Sequence, residues 1–130
     1  MDAGGESRRR FLMLAAGSTA GALFGGGAGA GGRPDWIAAV TLIHGLPGRE
    51  EGLKQHLLSL AAPTRAEPGC VVYDLYQDPD ERHEFMRFEI WTTAEALEAH
   101  KRMPHLRASF EKRQREGWTT EILVWERVPG

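Results

Sequence analysis

The side chains of this chain best suited to joint chemistry are His100 and His105, Glu89, and the aromatics Tyr73, Trp91 and Phe110. Histidine is the side chain whose unperturbed pKa suits a base near neutral pH. His100 lies about one helical turn beyond Leu97, on the inward stripe of an amphipathic segment, where its ring could face a pocket. In the plainer alternative the ring bonds a carbonyl at the end of its helix, where a cation is favoured. His105 follows Pro104 at the start of the next helical segment. A neutral ring there can order the loop or serve as an electrophile. Strand alternation puts Glu89 on one face with Arg87 and Trp91. A buried carboxylate needs a partner, so Glu89 either pairs with Arg87 or orients a histidine. Trp91 could stack on a flat substrate or fill the core. Tyr73 and Phe110 are pocket wall or core, and Tyr76 points away from Tyr73.

Other chemistries find little support. The five histidines show no His-Glu-x-x-His, and a proline separates the last two, so no metal is expected. The single cysteine, Cys70, opens a buried strand without an activating neighbour, and it cannot form an internal disulfide. No glycine-rich phosphate loop lies beyond residue 30, and no cofactor is expected.

These residues must be positioned by a small domain. Trp36 to Ile43 reads as a strand, stopped by His44-Gly45 and Pro47-Gly48. Leu53, Leu57, Leu60 and Ala61 recur at helical spacing between Arg49 and Thr64, with an end near Pro63. Pro68-Gly69 turns into a strand over Cys70 to Gln77, and Asp78-Pro79-Asp80 turns again. Phe85 to Trp91 is the third strand, with Met86, Phe88 and Ile90 on the face opposite Glu89. Thr92 or Thr93 caps a helix that breaks at Met103-Pro104, and a further helix runs from His105 to Glu116 with Leu106, Phe110 and Arg113 on one stripe. After Gly117, Trp118 to Val128 is the last strand. The order is β-α-β-β-α-β, an α+β ferredoxin-like arrangement with helices on one face of a four-stranded antiparallel sheet. Both faces of the third strand carry large apolar groups. The uncovered face therefore calls for a partner, most simply the same sheet of a second copy.

The first thirty residues read differently. Arg8 and Arg9 behind Ser7, followed by Phe11 and Leu12, resemble the twin-arginine export address. The uncharged, glycine-diluted run from Phe11 closes on Ala28-Gly29-Ala30, which suits signal-peptide cleavage, although an uncleaved anchor is the alternative. The expected organisation is a leader over 1–30, a short linker over 31–35 and one domain over 36–128, with the twin-arginine translocase as the export partner. Without Asp2, Glu6 and Arg8 to Arg10, the 16 basic and 18 acidic side chains fall to 13 and 16. No basic stripe is left to bind nucleic acid.

Glu67-Pro68-Gly69-Cys70, Tyr73, Glu89-x-Trp91, Ala99-His100 and Pro104-His105 resemble, in that order, the motifs of antibiotic biosynthesis monooxygenase domains. The resemblance covers nearly all of Trp36 to Val128. It implies a dimeric α+β barrel made by two ferredoxin-like sheets packed face to face. It also implies a small aromatic substrate, since members include cofactor-independent monooxygenases of quinols and polycyclic phenols. Haem-degrading members, as aligned, carry tryptophan at the place of His100 and their haem-ligating histidine near Phe110, so haem chemistry fits poorly. A protein working without a cofactor must make its substrate the reductant. It supplies a base, an aromatic-lined pocket and exclusion of water. The resemblance makes His100 that base, within a closed pocket walled by His100 and Trp91. The alternative is a dimer that only sequesters a small aromatic ligand in the cell envelope. A free nitrogen on His100 facing a cavity would favour chemistry.

Overall fold

Every second residue of Ile37–His44 is buried, the period of a strand with one face on a core. The computed structural model describes residues 36–130, and this strand is its β1. There follow α1 (Glu50–Ser59), the short α2 (Ala61–Arg65), β2 (Cys70–Gln77), β3 (Glu84–Trp91), α3 (Ala94–Lys101), α4 (Pro104–Glu116) and β4 (Thr119–Glu126). All pairings are antiparallel, in the order β2-β3-β1-β4, which is the expected ferredoxin-like sheet. The expected leader, with Arg8 and Arg9, and the linker lie outside the described residues.

Local chemistry sets the element ends. Thr93 caps α3 by accepting the Ala96 N–H at 3.1 Å. Pro104 opens α4, where its missing N–H is not needed, and Gly117 closes it at φ +87°. Pro63 departs from expectation. The first helix breaks at Leu60, and Pro63 sits in the first turn of α2, a position proline tolerates.

The core lies between the helices and one sheet face. Leu53 and Leu57 of α1 meet Ile43, Phe85 and Trp118, while Leu97 of α3 meets Ile37, Ala39 and Trp91. Glu89 and Arg87 therefore face the helices. The opposite face is apolar as well. Val40 stands between Phe88 and Leu123 and Leu42 pairs with Met86, all of them at least partly accessible. Leu123 and Trp125 keep 45% and 59% of their surface exposed.

A polar latch ties three strands at one end. His44 Nδ1 lies 2.8 Å from Glu84 Oε2 and its Nε2 2.9 Å from Glu121 Oε2. Both nitrogens can donate only as imidazolium. Burial alone would lower the His44 pKa, but its hydrogen bonds to Glu121 and Glu84 together outweigh it, and the pKa is raised above 6.5. The latch should therefore stabilise fully below the unfolded-state pKa and fade as the pH rises through the higher folded-state value. A melting series from about pH 6 to pH 9 should show the midpoint falling by a few degrees, since solvent screens so exposed a group. His44→Ala should flatten that fall, and an unchanged slope would remove the latch from the account.

Candidate active site

Three elements bring the polar side chains together. β3 presents Glu89 and Trp91 on the helix face, α3 presents His100 from its last turn, and the turn before β2 presents Glu67. That turn lies tightly against the start of α3. Gly69 holds φ +86°, and a Cβ there would stand 2.7 Å from Ala96 Cβ and 2.8 Å from Thr92 Oγ1. Only glycine allows this approach. Thr92 N–H then donates to Gly69 O at 2.9 Å and locks the turn to the end of β3.

His100 is 3% exposed. Its Nδ1 lies 2.8 Å from Glu67 Oε2. His105 Nε2 reaches the same oxygen at 2.9 Å and Thr64 Oγ1 at 3.2 Å. A carboxylate only accepts, so both imidazoles donate to it. In neutral His100 the lone pair is then on Nε2, which stands 3.7 Å from Glu89 Oε1, beyond hydrogen-bond reach. The ring cannot swing away. Trp91 packs on it with centroids 4.7 Å apart, and Tyr73 meets it edge-on at 5.6 Å. The ring is packed on two sides, and its Nε2 makes no hydrogen bond to the described residues.

The cavity lies between sheet and helices, lined by Leu97, His100, Glu89, Arg87, Phe110 and Arg113 among others. Trp91 was expected in this wall and is not there. It is wholly buried behind His100, and its indole N–H donates to Glu89 Oε1 at 3.0 Å. Tyr73 and His105 likewise sit outside the lining, Tyr73 in the layer behind His100 and His105 across Glu67. Phe110 does line the cavity and carries the Arg113 guanidinium over its ring at 5.3 Å. The expected Arg87–Glu89 pairing is also replaced. Glu89 takes the indole N–H, and Arg87 instead lies over the Tyr73 ring at 4.7 Å.

Burial shapes the acids here. It raises the Glu89 pKa above the usual carboxylate range, with Trp91, His100 and Arg87 offsetting only part of the shift. Burial also pushes the Tyr73 phenol up to about 12 and the Cys70 thiol up to about 11. Cys70 is thus a poor nucleophile.

Sequence reading missed two residues of this site. Glu67 stood only as part of a motif, although a carboxylate just before a Pro-Gly turn into a buried strand was a usable signal. Arg87 was taken as the partner of Glu89. Spacing along the chain also hid a donor set. The ligand atoms of Glu67, His100 and His105 lie within 4.8 Å of one another and are of types that could hold a divalent cation such as zinc.

Comparison with known proteins places this geometry. The sequence profile of the family described as antibiotic biosynthesis monooxygenase matches residues 37–112. Protein sll1783 of Synechocystis is 32% identical over 81 residues, which are 62% of this chain and 55% of that protein. The chain thus spans about half the length of that relative. Rv0793 of Mycobacterium tuberculosis, named as a candidate monooxygenase, is 35% identical over 69 residues, covering 53% of this chain and 67% of its own. Among solved structures, PA3566 of Pseudomonas aeruginosa superposes with a TM-score of 0.68 at 31% identity, over 76% of this chain and all of that one.

Proposed function

The chain belongs to the antibiotic biosynthesis monooxygenase family, and on that premise we propose that it is a cofactor-independent oxygenase of a quinol or polycyclic phenol, with His100 as base. The observation that carries this reading is the unbonded Nε2 of a buried His100 whose other nitrogen is held by Glu67. A ring kept only for structure, as in a sequestering dimer, would have both nitrogens bonded. Here one is left at a cavity.

The chemistry follows from that nitrogen. Nε2 takes the proton of the substrate hydroxyl, and the electron-rich phenolate passes one electron to O2. The two radicals combine to form a carbon–oxygen bond, giving a peroxide on the ring. The His100 imidazolium gives its proton to the peroxide. The freed Nε2, beside Glu89 Oε1 at 3.7 Å, then takes the ring C–H proton as the O–O bond breaks and passes it to the expelled hydroxide. Water leaves and a ring C–H becomes C=O. A phenol and O2 thus give a quinone and water, and the four electrons come from the substrate. Glu67 and His105 hold the tautomer of His100, Trp91 and Tyr73 hold its ring, and Phe110 and Leu97 provide apolar wall.

The active form is a homodimer, joined through the apolar sheet face that carries Val40, Phe88 and Leu123. Arg8 and Arg9 ahead of an uncharged run support export by the twin-arginine route, and so action in the periplasm, the envelope or outside the cell.

Oxygen uptake tests the reading. The purified protein, free of metal and flavin, should consume O2 with at least one of a panel of reduced naphthoquinols and polycyclic phenols, well above the autoxidation blank. Rates equal to the blank for the whole panel would favour the sequestering dimer.

A further inference from the structure

A buried positive charge is unfavourable unless something supplies its partner. Arg87 is such a charge. It is 6% exposed, and its Nε and Nη2 have no hydrogen-bond partner among the described residues. The guanidinium carbon stands 4.7 Å from the Tyr73 ring centroid, a contact that gives Nε and Nη2 no acceptor. Nε–H and Nη2–H lie along one edge and point the same way, a fork that matches both oxygens of a carboxylate. Arg65 shows the same edge in use, its Nε and Nη2 both donating to Tyr73 O at 3.1 and 2.7 Å.

The surroundings favour an anion. Arg87 lines the cavity of His100 together with Lys101 and Arg113, while Glu89 is the one acidic side chain of that lining. This cationic bias occurs in a chain whose net charge is −2. Glu89 stands against three cations there, and its Oε1 accepts the Trp91 indole N–H, with no hydrogen bond from Arg87 among the described residues.

We propose that the cavity takes a hydroxylated aromatic that also carries a carboxylate, held at two points by Arg87 Nε and Nη2 while its hydroxyl meets His100 Nε2. The hydroxyl half rests on the oxygenase reading; the anion site stands without it. Both ends belong to one cavity: Arg87 and Glu89 are two residues apart on one face of β3, and Glu89 Oε1 lies 3.7 Å from His100 Nε2.

The test is calorimetric titration of the full chain under nitrogen, where no turnover occurs. Two pairs differ by the carboxylate alone: 4-hydroxybenzoate against phenol, and 6-hydroxy-2-naphthoate against 2-naphthol. In at least one pair the acid should bind about ten-fold or more tightly than its parent. Arg87→Met should abolish that advantage and leave the parent's affinity within about two-fold. Thermal melting of Arg87→Met beside the titrations, together with its unchanged affinity for the parent, separates lost binding from lost folding. The proposal is overturned if neither acid binds, if acid and parent bind alike in both pairs, or if the advantage survives Arg87→Met. It is also overturned if Arg113→Met removes the advantage while Arg87→Met does not. Because oxygen is absent, failure of the oxygenase reading would leave these titrations unchanged.

Discussion

His100→Ala should lower kcat/KM for oxygen uptake by roughly 10²- to 10⁴-fold, the range of a lost general base, while leaving the fold intact by circular dichroism. The size of the effect follows from position. His100 lines the cavity, and among the described residues that line it the other ionisable side chains are the cations Arg87, Lys101 and Arg113 and the single carboxyl of Glu89, whose Oε1 already accepts the Trp91 indole N–H. Glu67→Gln should also be severe, about 10- to 100-fold, although Glu67 lies behind the ring and not among the lining residues. An amide keeps the shape, but its oxygen carries no charge and accepts more weakly from the two imidazoles that share Oε2, so the His100 tautomer is held less firmly. The double variant decides whether this account is right. If Glu67 acts through His100, His100→Ala with Glu67→Gln should be no slower than His100→Ala alone. Additive losses would mean that Glu67 has a separate task. Full activity in His100→Ala would remove the base altogether.

That pair also shows where sequence reading reaches its limit. The faces of β3 were legible, because Phe85, Arg87, Glu89 and Trp91 alternate with Met86, Phe88 and Ile90 along one strand. The inward stripe of α3 was equally legible from Leu97 and His100, and both are buried. Partners were harder. Glu67 is 33 residues from His100, and their contact depends on Gly69 letting a turn settle against α3, which no local pattern reports. For Glu89 the expectation took the nearest opposite charge. Trp91 sits on the same face and carries an N–H that reaches the carboxylate, so the indole displaced the guanidinium. Alternation tells which residues share a face, but competition among them for one acceptor is settled only by three-dimensional packing.

In the proposed sheet-to-sheet assembly, Phe88→Glu should leave the protein monomeric. Phe88 pairs with Val40, whose other neighbour is Leu123, so the substitution falls in the middle of the open apolar face. In a two-fold assembly every substitution occurs twice in the interface. Losing the burial of two phenylalanines is worth about 3 to 6 kcal/mol, and each tenfold in dissociation constant is about 1.4 kcal/mol. The dissociation constant should therefore rise by roughly 10²- to 10⁴-fold, with the buried carboxylates adding to it. Sedimentation or light scattering over a concentration series reads this directly. Leu58→Glu is the matched control, because Leu58 is 48% exposed on α1, an element that packs on the other face of the sheet. It should leave the assembly unchanged. Phe88→Glu that associates as tightly as the unchanged protein would show that this face is not the interface. A monomer that keeps its oxygen uptake would show that the site needs no second copy, since His100, Glu67 and the cavity lining all come from one chain.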